Sequence, residues 1–149
     1  MLEWDYSISG IRDATLYFTK YIREKRKGEV LEVHAENFGR HRRLLVKLYY
    51  RGAPVYVKVY LVFQRRWFEQ FEKYFGWSEQ AVTINLPILE YCVKHGINRI
   101  VWVHSSGTMF MTDPKTMLEL VKKHKWIRRT RKTGEPVAHL PLSLLTRLK

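Results

Sequence analysis

VKLYYRGAPVYVKVYLVF, from Val46 to Phe63, is two alternating stretches around Gly52. Read with period 2, the second puts Val55, Val57, Val59, Leu61 and Phe63 on one face and Tyr56, Lys58 and Tyr60 on the other. The first sends Val46, Leu48 and Tyr50 one way and Lys47, Tyr49 and Arg51 the other. A β-hairpin with one apolar side and one tyrosine-and-cation side is the expectation, with strands near residues 43–50 and 55–63. Pro54 stands at a strand start, where its missing N–H does least harm. Three uses are open to the Tyr/Lys side. A helix covers it, which is the expectation; or it stacks nucleic-acid bases; or it is a catalytic face around Lys58.

Working outward, Ser9 caps a helix through about Lys27, with Ile11, Ala14, Phe18, Tyr21 and Ile22 at helical spacing and Gly28 as its stop. EVLEVHAE (29–36) alternates like a strand, and Asn37-Phe38-Gly39 turns it into the hairpin. From Gln64 the pattern changes to a helix with Trp67, Phe68, Phe71, Tyr74 and Phe75 on one side, ended by Gly76. Asn85 and Pro87 open another helix that stops at Gly96. INRIVWVH (97–104) reads as a buried strand, with TMFMT (108–112) as its short partner. Asp113-Pro114 starts a helix to about Lys125. A short strand near residues 136–140 and a helical turn follow. The order α-β-β-β-α-α-β-β-α predicts an α/β (α+β) fold, a single mixed sheet flanked by helices. The early strands form an antiparallel meander, and 97–104 is added in parallel after a helical crossover.

At 149 residues the chain is one domain's worth, 46% hydrophobic and 14% aromatic, a composition that excludes disorder. No window approaches the roughly 20 apolar residues of a membrane span, so no membrane partner is expected. MLEWDYSISG is acidic and lacks a signal peptide's cationic start and apolar centre, and Cys92 is the single cysteine, so a cytoplasmic protein is expected. The charge is the strongest signal. Lysine and arginine total 27 against 14 acids, a formal +13 with a pI near 10.0. Such self-repulsion suits a surface that a polyanion neutralises, which makes nucleic acid, DNA before RNA, the expected partner. The rival is a merely basic surface; three Asn and three Gln fit a thermophile's composition.

KKHKWIRRTRK (122–132) holds seven cations and no acid: Lys122, Lys123, Lys125, Arg128, Arg129, Arg131 and Lys132. Trp126 and Ile127 interrupt it as an expected anchor to the core. Arg40, Arg42 and Arg43 stand at the hairpin's entry and Arg65 and Arg66 at its exit, so the two groups are expected to meet at its open end. These twelve residues are the candidate phosphate contacts.

The order α-β-β-β-α-β, apart from an additional helix before the last strand, and a lysine on the third strand resemble the restriction-endonuclease-like, or PD-(D/E)XK, nuclease superfamily. That resemblance implies a catalytic lysine at Lys58 and carboxylates that hold a divalent cation. The acid before the lysine falls at Tyr56, and no Asp or Glu occurs between Asn37 and Phe68. The expectation is therefore binding without catalysis and without a cofactor. The alternative is a nuclease with a displaced site, using magnesium or manganese at Glu32, His34 and Glu36, with Glu24 nearby and Lys58 as the catalytic lysine. A third reading is a basic module for an acidic protein partner. Cys92, among apolar helix positions, reads as core, and His104 as a satisfied strand-end histidine.

Overall fold

The computed structural model describes residues 10–38 and 41–149, without the side chains of residues 37, 38 and 41. Ser9 and Arg40, named above, lie outside the described residues. Helix α1 (Ile11–Lys25) buries Ala14, Thr15 and Phe18. It gives way to a turn in which Gly28 takes a positive φ of 73°. Strands β1 (Val30–Phe38), β2 (His41–Tyr50) and β3 (Ala53–Gln64) form the expected antiparallel meander. Tyr50 pairs with Ala53, so the hairpin loop is the two residues Arg51 and Gly52. Both have positive φ, 52° and 79°, the backbone twist that lets a two-residue loop join twisted strands.

Strand β6 (Arg99–His104) lies parallel to β3, from Val59 opposite Arg99 to Gln64 opposite His104. β7 (Met109–Thr112) and β10 (Thr146–Arg147) extend the sheet, giving the order β1-β2-β3-β6-β7-β10. α1 covers one face of this sheet through Phe18, Leu44, Val46, Val59, Leu61, Val101, Val103 and Met109. The apolar side of the quoted stretch is thus the floor under α1.

The other face carries the larger core and a second sheet that the pattern did not announce. Its strands, in the order β4-β5-β9-β8, are β4 (Glu69–Gln70), β5 (Gln80–Asn85), β9 (Pro136–Pro141) and β8 (Ile127–Arg129). The protein therefore has a six-stranded mixed sheet plus a four-stranded antiparallel one, flanked by four helices. The helix expected from Gln64 shrinks to α2 (Glu72–Phe75), because Glu69 and Gln70 pair with Ala81 and Gln80 instead. Phe68 and Phe71 still reach the core while Trp67 does not. α3 (Leu86–Lys94) and α4 (Pro114–His124) complete this layer. Asp113 caps α4 as expected, accepting from the Thr116 N–H at 3.3 Å and its hydroxyl at 2.7 Å. Cys92 is fully buried and its thiol is pushed up to about 12 by burial, so it is a core residue. Among the described residues no helix is long and apolar enough to cross a membrane.

Candidate nucleic-acid interface

Strand register sets the Tyr/Lys face in rows. Glu32 lies beside Lys47 and Tyr56, His34 beside Leu45 and Lys58, and Glu36 beside Arg43 and Tyr60. The cover expected over this face exists only at Tyr60, which is fully buried and whose hydroxyl is pushed up by that burial. Toward the hairpin tip the face is open: Tyr49 is 45% and Tyr56 58% exposed, and Lys58 is exposed. The second sheet and α3 stop short of it. Lys47 Nζ lies 5.6 Å from the centre of the Tyr56 ring, a cation–aromatic contact within the open face.

The four residues of the displaced-site reading do share this face. His34 Nε2 is 3.2 Å from Glu32, and Glu36 and Lys58 line one cleft of about 200 Å³ with Arg43, Leu44 and Leu45. Glu36, however, accepts from Arg43 Nε at 2.8 Å and again from the other guanidinium nitrogen. That guanidinium is held in turn by the Tyr91 hydroxyl of α3, which accepts from Nη1 at 2.7 Å. The Glu36 carboxylate pushes the Arg43 guanidinium's pKa up from its ordinary value. Glu36 is thus already neutralised by arginine and the His34 imidazole is turned to Glu32, a poor fit to the oxygen-ligand set that magnesium or manganese prefers. Among the described residues no three His, Cys, Asp or Glu are grouped to hold a metal ion. Glu24 lies on α1, on the far side of the sheet.

The arginines at the hairpin's open end are dispersed. Arg42 and Arg43 are consecutive in β2 and face opposite sides of the sheet; Arg42 is half-buried, with its Nε buried and unpartnered. Arg42 pairs with Leu61, so Arg65 lies four residues, about 13 Å, further along. Arg65 and Arg66 belong instead to the end of the β3–β6 pair. There Ser105 donates its N–H to the Gln64 carbonyl and its hydroxyl to the Arg65 carbonyl, both at 2.9 Å.

The basic segment 122–132 is divided by its fold. Lys122 and Lys123 end α4, where cations suit the helix dipole, and Lys125 follows with φ 57°. Trp126 is the expected anchor, buried, edge-on to Phe71 at 5.3 Å and stacked on His124 at 4.4 Å. Arg128 is half-buried. Its Nε donates to His139 Nε2 at 2.9 Å, its guanidinium lies 4.3 Å over Tyr74, and it reaches Glu69 at 3.9 Å. It fastens β8 to the core. Lys122, Lys123, Lys125, Arg129, Arg131 and Lys132 are exposed, Arg129 tied to the Gly134 carbonyl at 2.9 Å.

His139 is 1% exposed, and because Nε2 accepts from Arg128 its proton sits on Nδ1. Burial first, then the Arg128 charge, push its pKa down from 6.5 to about 4. The folded state thus binds fewer protons than the unfolded one between these values. The resulting stability is full above pH 6.5 and is lost as pH falls through about 4. His104, neutral by burial and held by the Ser106 N–H on Nδ1 at 3.0 Å, acts in the same direction. His139→Asn keeps an acceptor for Arg128 and removes one titration. We expect its urea midpoint to fall less than that of the wild type as the pH is lowered from neutral toward 4.5; parallel declines would contradict this assignment.

Neither Trp67 nor Tyr91 is a candidate by sequence: helical spacing sets Trp67 on one side with Phe68, Phe71, Tyr74 and Phe75, and nothing local in the chain pairs Tyr91 with Arg43. The RRW run leaving a strand was the available signal for the first. Comparison with protein-family models, with curated proteins and with solved structures found no match to this chain.

Proposed function

We propose that this protein binds nucleic acid, DNA before RNA, by contacting phosphates with solvent-facing cations, and that it does not cleave what it binds. One observation carries the reading. Lys122, Lys123, Lys125, Arg129, Arg131 and Lys132 are exposed around the end of α4 and the β8–β9 hairpin, and none stands in an ion pair among the described residues. Glu135, the acid of that hairpin, accepts from the Asn85 side chain at 3.2 Å instead. Cations left without counter-charges in a chain of net charge +13 suit a polyanion. The restriction-endonuclease-like label for the core, with its catalytic acids missing, is supported by the order α1-β1-β2-β3, with β4, α2 and β5 interposed before α3 and β6, and by the parallel β3–β6 pair.

Incubation with supercoiled, linear and single-stranded DNA in magnesium and in manganese tests the absence of cleavage. We expect intact substrate, and Lys58→Ala should change affinity only modestly. Metal-dependent nicking that vanishes in both Lys58→Ala and Glu36→Ala would overturn the non-catalytic reading in favour of a displaced site. Tight binding to an acidic protein with no affinity for DNA would replace it with the interaction-module reading.

A further inference from the structure

The loss of the expected helix at Gln64 has a chemical result. In the connection between β3 and β4, Phe68 enters the core, 3% exposed, while its neighbour Trp67 stays 47% exposed. An indole half in water is the more informative observation when it is held in place, and this one is. Its ring is edge-on to His104 at 4.7 Å and to Phe68 at 5.3 Å. Phe68 is itself locked edge-on to Phe110 at 5.3 Å. His104 is fixed by Ser106, through the N–H at 3.0 Å and the hydroxyl at 2.7 Å, so it is a positioned neutral ring beneath the indole. The backbone just before Trp67 is pinned by the two Ser105 hydrogen bonds to Gln64 and Arg65. Arg65 and Arg66 are both exposed, and neither stands in an ion pair among the described residues.

A rigid, half-exposed indole directly after two unpaired guanidinium groups matches one ligand chemistry well: a flat π-face beside phosphates. In duplex DNA the base faces are stacked on one another and are not offered; in a single strand they are. We propose that Arg65, Arg66 and Trp67 form a seat for an unpaired nucleobase and its flanking phosphates, so that the ligand at this edge of the sheet is single-stranded nucleic acid. The proposal rests on the nucleic-acid reading above and adds the form of the ligand. The site lies at the C-terminal ends of the parallel pair β3 and β6. The indole carries the stack, and the arginines hold the backbone on either side.

The test measures anisotropy of a labelled oligothymidylate and of a labelled hairpin duplex with the full chain and its variants. Trp67→Ala should weaken oligothymidylate binding by about fivefold or more, the lower range for losing one base–aromatic stack, and leave duplex binding unchanged. Trp67→Phe, which keeps a stacking face, should restore most of the loss. The pair Arg65→Ala and Arg66→Ala, at exposed positions, should lower the log–log salt slope on the single strand by roughly 1.4, about 0.7 per phosphate contact. A Trp67→Ala loss equal on both ligands, no loss on the single strand, or an unchanged slope in the arginine variant overturns the seat and leaves the duplex-binding reading standing. Wild type that binds neither ligand overturns both.

Discussion

Alanine at Arg129, Arg131 and Lys132, with Arg128 left in place, should flatten the salt dependence of duplex binding by about 2.7 log units per decade of salt. Each lost phosphate contact removes roughly 0.9 from the slope, and three are removed. Extrapolated from 1 M to 0.1 M salt, the same coefficient corresponds to nearly tenfold in affinity per contact, so up to about three orders of magnitude in all. The loss should be the same on unrelated sequences, because phosphate contacts carry no base information. Arg128 is excluded for a structural reason: its guanidinium is engaged by His139, Tyr74 and Glu69. Removing it leaves the buried His139 without its donor and confounds affinity with stability. Salt titrations by anisotropy, with melting curves to verify the fold, decide the matter; an unchanged slope in a folded variant moves the binding face elsewhere.

The largest expected effect on stability is at Trp102. Its side chain is fully buried on β6, opposite Phe110 of β7, and its indole N–H donates to the Thr83 carbonyl of β5 at 3.0 Å. One side chain therefore joins the two sheets through both packing and a hydrogen bond. Truncating a buried aromatic to alanine costs about 3–5 kcal/mol, and the Thr83 carbonyl loses this donor as well. Against a total stability of about 5–15 kcal/mol, Trp102→Ala should remove a large fraction of the stability and bring the urea midpoint sharply down. Trp102→Phe restores most of the volume but not the N–H, and should lose about 1–3 kcal/mol by urea unfolding. A Trp102→Ala chain with a wild-type midpoint would show that the sheets are held together elsewhere.

The large sheet was legible because its strands carry their own period. Val46–Phe63 alternates cleanly, and 100–103 is a continuous apolar run suited to a strand buried on both faces. The second sheet was not. β5 has its main partner in β9, with Ala81 opposite Pro141, a pairing sixty residues away that no local window contains. The residues 67, 68, 71, 74 and 75 match helical spacing, yet the pairing of Gln70 with Gln80 overrides it. The same failure hid Trp67, which lies exposed in the connection between β3 and β4 instead of on a helix. In the basic segment, charge alone made Arg128 the equal of Arg129. Only the fold brings His139, Tyr74 and Glu69 to the one and leaves the other in solvent. Likewise Glu36 and Lys58, two of the four residues of the displaced-site reading, do line one cleft, but the arginine that claims Glu36 could be read only from strand register.

The central claim is that the exposed cations meet a polyanion. The direct measurement is the affinity of the wild-type chain for a labelled duplex between about 50 and 200 mM salt, plotted as log K against log salt. Engagement of the six exposed cations of 122–132 predicts a straight line with a slope of about −5, six contacts at roughly 0.9 each. No binding at the lowest salt, or binding whose affinity does not fall as salt rises, would contradict the account.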